Sequence, residues 1–514
     1  MKASVLIVWV FVGIITVVPR IGAQTDLYFA PMTINNLTAW YSSNGGLEIG
    51  HGNSSYIPGA TFPPNTAGIS YASGFMYVAD TPELIANGAY YGNTFQQGAI
   101  RGMQTGNADD KYGKNLRIWR VRKDFATADL RRDAALTNGV MEKTVSIHDM
   151  QQLRNQYKQD WIEWPWMKGA PYYDVNKNGI YDPKFIVNEF SIEVPDTNSD
   201  APGIADADQV IWYVCNDLGA GSPFNTQSIG MEMQITIWGF RSSGALNNTL
   251  FRRCKFIYKG TAFISSDHVL KNMYVGIWSD LDIGISYNDL AGSDSLLGLG
   301  YFYNSRVRDP EYTKYNTIPP SAGYDILQGP VVKGTSVDSA LVNFSYRRGW
   351  KNLPVTAITY TNQTNKPVSV GANGAVQLRN ALNGFPTNSS IPRVNPFTQL
   401  PTTFWASGDP ISRTGWIDGV AQSPGERDMF ISTGPFSMTL GDTQDIVTAF
   451  IAAQSPDIVA SVGVLKYYDK IVQEYFSHMV SAPPVVPLPK ITVRELDRSF
   501  LFEWEKDDAG VNQT

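Results

Sequence analysis

The sequence predicts a mainly β protein: β-sandwich-type domains with one or two packed helices, and at the C-terminus the truncated start of an immunoglobulin- or fibronectin III-like module. Three observations carry this expectation. Charged residues make up 17% of the chain and aromatic ones 12%, which supplies ample apolar surface to bury and excludes both a disordered chain and a long, charge-rich helical one. Runs of Tyr, Phe, Trp, Val, Ile and Thr are punctuated by Gly, Pro, Asn and Asp, the residues of pleated sheets and of tight turns. Only two segments space their apolar residues by three or four, as a helix requires.

Taken in order, Lys2, the apolar run from Val5 to Val18, Pro19 and the small pair Gly22-Ala23 read as an export signal over residues 1–23. The run is too short for a membrane span, and no later segment is apolar for long enough, so no transmembrane helix is expected once the signal is removed. Residues 24–165 are expected to form an N-terminal β-rich domain with turns at Gly45-Gly46, Gly50-His51-Gly52 and Pro63-Pro64-Asn65. Its helix is placed near 146–161. Ser146 caps it, Met150, Leu153, Tyr157 and Trp161 share a face, and Pro165 stops it.

Residues 166–480 are expected to form a larger β-rich domain, with strands at 209–214, 231–240, 252–258 and 273–278. Phe436, Met438 and Leu440 alternate up to the turn Gly441-Asp442, and 445–453 follows as the second arm of a β-hairpin. A helix near 456–476 starts with Ser455 as cap and Pro456 at its first position, and turns Ile458, Val462, Leu465, Val472 and Phe476 towards a sheet. Residues 481–489 read as a stiff proline-rich linker. Residues 490–514 begin the fibronectin III-like module, with 491–493 and 499–504 as its first strands; about seven are needed to close one, so the module is incomplete.

A net charge of −6 and the lack of an extended basic stripe exclude nucleic acid as a partner. Arg120 and Arg122 alternate with Trp119 and Val121, the pattern of a strand's wet face. Cys215 and Cys254 both sit in strand contexts. An exported chain permits a bridge between them, but burial as small apolar residues is the favoured reading and the bridge the alternative.

The sharpest motif is the run from Asp174 to Asp182. Asp174, Asn176, Asn178 and Asp182 place side-chain oxygens at relative positions 1, 3, 5 and 9, Gly179 occupies position 6, and Ile180 offers its carbonyl. This is the first part of an EF-hand-type calcium loop, in which alternate residues turn oxygens inward and glycine permits the sharp turn. Phe185 stands where the bidentate Glu belongs, so a further ligand must come from elsewhere, with Asp206 and Asp208 as candidates. A second acidic cluster, Asp280, Asp282, Asp289 and Asp294, follows a strand and could hold another hard cation, again calcium in a structural role.

Catalytic signatures are lacking. The four histidines form no metal-spaced pair, and no nucleophile elbow, phosphate loop or dinucleotide fingerprint is present. Paired glycosidase carboxylates carry no short motif, and Trp161, Trp164 and Trp166 could stack on sugar rings. A secreted carbohydrate-active hydrolase or a carbohydrate-binding protein is therefore the alternative to a non-enzymatic structural or adhesion protein.

Several stretches together resemble the large secreted proteins of bacteria that use type IX secretion. They are Gly68 to Ala79, Trp164-Pro165 leading into Gly169-Ala170-Pro171-Tyr172, the Asp174–Pro183 loop, Asp208 to Val214, Tyr274 to Asp280, and Gly434 to Thr443. The resemblance spans most of the chain but is patchy, weakest over 306–430. It implies a β-rich region preceding a fibronectin III-like module and a C-terminal sorting domain, the last of which is absent from this sequence. Its implied location is extracellular or the outer cell surface; extracellular polysaccharide or cell-surface components are the partners expected of an exported structural or adhesion protein. It says little about activity.

Overall fold

The computed structural model describes residues 28–51, 57–91, 95–109, 116–204, 206–219, 222–362, 368–480, 491–496 and 499–504. The expected export signal at 1–23 and the linker at 481–489 lie outside the described residues.

Two antiparallel sheets lie face to face. The smaller runs Ala357–Asn362, Arg427–Thr439, Val269–Asp280, Ala72–Asp80, Gly46–Leu47, with Leu84–Gly88 also paired to Ala72–Asp80. The larger runs Asp289–Asp294, Leu299–Asn304, Ser321–Gln328, Thr443–Ala453, Thr249–Tyr258, Met231–Gly239, Gln209–Asn216, Gln96–Gln97. Trp119–Arg122 also pairs with Gln209–Asn216. Strands from before and after residue 165 thus share both sheets.

The principal core lies between the sheets. Phe75 and Tyr77 of the smaller meet Phe256 of the larger edge-on, each at 6.2 Å between ring centroids, and the Ser73 and Tyr324 hydroxyls lie 2.7 Å apart. The outer face of the larger sheet, with Trp212, Trp238, Phe251 and Val447, is covered by helices Ile147–Ile162 and Ile458–Val480. The outer face of the smaller, with Met76, Val78, Trp278 and Phe430, packs on helix Ala372–Leu382. The layers therefore run helix, sheet, sheet, helix. Because both faces are covered, central strands such as Gln209–Asn216 are buried along their whole length and read as apolar runs rather than as alternation.

Helix Ile147–Ile162 follows its local signals: Ser146 and Asp149 form a reciprocal capping box, and Leu153, Tyr157 and Trp161 are buried. The last long helix differs at its start. Asp457, not Ser455, accepts the backbone N–H groups of Val459 and Ala460, both at 2.9 Å, so the helix begins at Ile458. Its expected apolar face is buried as read.

Two expectations are corrected. The segments flanking Gly441-Asp442 are not a hairpin: Arg427–Thr439 pairs in the smaller sheet and Thr443–Ala453 in the larger. The tight turn, held by Asp442 accepting from the Thr439 amide at 2.7 Å, carries the chain across the core. Arg120 and Arg122 are not on a wet face. Each is 6% exposed, because the helices close over their strand and Asp133 supplies both with a carboxylate, at 3.3 and 3.0 Å. Cys215 and Cys254, by contrast, are buried and free as the favoured reading expects, on strands separated by Met231–Gly239.

The segments Ile491–Leu496 and Ser499–Trp504 form an antiparallel hairpin with Ile491 opposite Trp504. Among the described residues no helix is long and apolar enough to cross a membrane.

Candidate metal centre

Val269–Asp280 and Arg427–Thr439 run antiparallel, with Asp280 directly opposite Asp428. Successive side chains alternate across a sheet, so Asp280 and Asp428 share the outer face with Trp278 and Phe430. Two residues from Asp280 and Asp428 respectively, just outside the strands, the same parity brings Asp282 and Glu426 alongside. Oxygens of Asp280, Asp282 and Glu426 all lie within 4.8 Å of one another. Behind them, Asp428 accepts from the Trp278 indole at 3.1 Å and from Tyr91 at 3.4 Å. Asp289 is fully buried and accepts only weakly, from the Ile283 amide at 3.3 Å.

Five carboxylates thus converge, and among the described residues no ion pair reaches any of them. Arg427, between Glu426 and Asp428, points to the opposite face and pairs with Asp418 at 2.9 Å. Burial pushes the Asp280 carboxyl well up, and Asp428, Asp282 and Glu426 add to it. Burial raises Asp282 next to Glu426 and Asp428, Asp289 next to Asp282, and Asp428 next to Glu426. Asp280 Oδ1, Asp282 Oδ1 and Asp289 Oδ2 are buried with no hydrogen-bond partner among the described residues. Buried carboxylates without cations or donors are costly. An all-oxygen set of this kind suits a hard divalent ion, which would supply the missing charge and ligate the orphaned oxygens.

The structure brings Asp280, Asp282 and Asp289 together but sends Asp294 elsewhere. Asp294 accepts from the Leu296 and Leu297 amides and pairs with Lys466 at 3.1 Å. Glu426 and Asp428 are the members sequence reasoning missed. Their signal is the acid-x-acid spacing of Glu426-Arg427-Asp428, which mirrors Asp280-Leu281-Asp282.

The Asp174–Asp182 loop has a turn-like geometry. Asp174 accepts from the Asn178 and Gly179 amides at 3.2 and 2.8 Å, and Asn178 from Ile180 at 2.7 Å. Asn176 donates to Asp182 at 3.1 Å. Gly179 has φ of 75°, the left-handed conformation that its place in the motif requires. Neither Asp206 nor Asp208 closes the loop: Asp206 lies 3.8 Å from Lys123, and Asp208 accepts from the Arg241 amide at 2.7 Å. The carboxylate set against the loop is Asp200, buried and accepting from Val175 and Asp182 at 2.9 and 3.1 Å.

Trp161 and Trp164 are 4% and 2% exposed, so they and Trp166 form no open platform for sugar rings. No protein-family model matches the sequence, and a search among curated proteins finds none similar to it.

Proposed function

We propose that this is a secreted or cell-surface protein of structural or adhesion type, stabilised by calcium held between two strand ends of its smaller sheet. Asp280, Asp282 and Glu426 are the direct ligands, and Asp289 and Asp428 form the acidic wall behind them. The observation that carries this reading is the convergence of three carboxylates within 4.8 Å around buried oxygens that lack partners. Calcium takes six to eight oxygens, carboxylate and water among them, and tolerates irregular geometry. The Asp174–Asp182 loop with Asp200 is a second, more exposed calcium candidate. Export is supported by the pattern of residues 1–23 and by the resemblance to type IX secreted proteins.

The hydrolase alternative is less well supported here. Glycosidase carboxyl pairs stand about 5–10 Å apart, flanking the bond they cleave, whereas these oxygens crowd together as cation ligands do.

Calorimetric calcium titration with thermal unfolding tests the proposal. Calcium is expected to bind saturably and raise the melting temperature, and Glu426→Gln to weaken binding about tenfold or more, the loss of one charged ligand. An unchanged melting curve after chelation, with no metal by elemental analysis, refutes it.

A further inference from the structure

Between the strands Ser321–Gln328 and Ala357–Asn362 the chain leaves both sheets as a small ribbon. Ser345–Arg348 pairs with Ser339–Val342 and, past Gly349, Trp350–Asn352 pairs with Val331–Lys333. The ribbon is tied to the larger sheet at two points. The Asn343 amide donates to Asp445 at 3.2 Å, and the Val331 backbone exchanges hydrogen bonds with the Gln444 side chain at 2.7 and 3.1 Å.

Its charge is opposite to that of the chain. The whole sequence carries −6, yet residues 339–408 contain no Asp or Glu, and the ribbon sets Lys333, Arg347, Arg348 and Lys351 against Asp338 alone. All four cations are exposed, and none makes an ion pair or a side-chain hydrogen bond among the described residues. Asp338 is engaged by its own turn, accepting from the Thr335 amide and hydroxyl at 2.6 and 2.7 Å. These bonds hold its carboxyl down first, and the Lys351 charge acts on it more weakly. One ring orders two of the cations: the Lys333 ammonium and the Arg347 guanidinium stand 4.9 and 4.1 Å from the centre of Trp350. Such stacking holds long side chains in place without cancelling their charge, which lowers the entropic cost of meeting a ligand.

The arrangement selects among anions. Arg347 to Lys351 span roughly 13 Å at about 3.3 Å per residue, so a single small anion would engage one or two cations and a linear polyanion all four. An arginine fork meets a carboxylate with two parallel hydrogen bonds. A polysaccharide with one carboxylate per sugar is less densely charged than duplex DNA, at one charge per about 1.7 Å. Four cations can balance it locally while the acidic remainder of the chain repels it less. A bilayer would gain little from a ribbon whose large exposed apolar side chains are Val337 and Tyr346. We propose that this ribbon docks a linear acidic polysaccharide, its uronate carboxylates paired with Lys333, Arg347, Arg348 and Lys351. This gives the adhesion-type reading above a surface and a ligand class, and does not depend on the calcium centre.

The test is retention of the full chain on immobilised polygalacturonate, in chelator so that calcium bridges nothing, with uncharged dextran, duplex DNA and phosphatidylglycerol vesicles as comparisons. Retention is expected on polygalacturonate and not on dextran, and is lost as salt rises. Arg347→Gln combined with Arg348→Gln should weaken it about tenfold or more, the value of lost charge-assisted hydrogen bonds, with the melting temperature unchanged. Lys351→Gln, made separately, should also weaken it, whereas Lys143→Gln, at an exposed cation on another element, should not. No retention on polygalacturonate overturns the proposal. So do tighter binding to DNA or to the vesicles, Arg347/Arg348 and Lys351 variants that bind like the parent, and an equal loss from Lys143→Gln. Each of these leaves the calcium reading intact, and a failed calcium titration leaves polysaccharide docking intact.

Discussion

Asp469 and Asp325 meet where the last long helix covers the larger sheet, and their substitution gives the most discriminating stability measurement. Asp469 is 0% and Asp325 2% exposed. The Gln473 amide donates to both, at 3.0 and 2.9 Å, and Asp469 Oδ1 has no partner among the described residues. Lys466, about one turn earlier on the helix, is turned to Asp294 at 3.1 Å and Asp409 at 3.7 Å. Burial pushes Asp469 well above the usual carboxyl range, and Asp325 and then Asp294 push it further. Burial also raises Asp325, against the hydrogen bonds from Gln473, the Ile326 backbone and Asp469. The pair therefore keeps a proton at neutral pH.

The sign of the pH effect follows. Below about pH 4 both folded and unfolded chains hold the proton; above it the unfolded chain releases it while the fold retains it. Unfolding free energy then falls by up to about 1.4 kcal/mol per pH unit for each retained proton. Asp469→Asn preserves shape and a donor towards Asp325 but has no proton to retain. From about pH 5 to pH 7 the variant should lose up to about 2.7 kcal/mol less stability than the parent. Equilibrium urea unfolding across that range, in saturating calcium so that the other acidic cluster contributes equally, measures the difference. Parallel pH slopes for the two proteins would refute the shared-proton argument.

Further expectations concern other buried polar groups. Arg252 and Glu48 are both 0% exposed and pair at 2.6 Å between the sheets. Arg252→Met should cost about 3–5 kcal/mol by leaving Glu48 unpaired, and adding Glu48→Gln should recover much of it; urea midpoints decide. Asp200→Ala removes the acceptor for the Val175 and Asp182 amides. It should loosen 174–182 by about 1–3 kcal/mol, seen as faster amide exchange confined to that loop. Cys215 and Cys254 should resist iodoacetamide in the native protein and both react in denaturant without reductant; alkylation that needs prior reduction would contradict their free state.

What could be read in advance was what is decided locally. The helix at 147–162 announces itself because its capping box and apolar face lie within its own residues. Helix Ala372–Leu382 went unread because it starts at Gly371 with no side-chain cap and carries Gly374 in its first turn. The turn at Gly441-Asp442 looks the same in sequence whether its arms pair with each other or with two different sheets. Arg120 and Arg122 alternate as exposed residues do, and only the packing of two helices decides otherwise. In the acidic cluster, Asp280, Asp282 and Asp289 were legible as near neighbours. Glu426 and Asp428 join them through strand pairing, which no short window of sequence contains.

The crossing at Thr439–Thr443 has a bearing on how the chain can be divided. Arg427–Thr439 fills the place between Ala357–Asn362 and Val269–Asp280, and Thr443–Ala453 fills the place between Ser321–Gln328 and Thr249–Tyr258. A fragment ending near residue 426 would open an interior gap in both sheets at once and leave four strands with bare edges, each a template for aggregation. The two sheets thus depend on one continuous segment, and neither can be excised without taking an interior strand from the other.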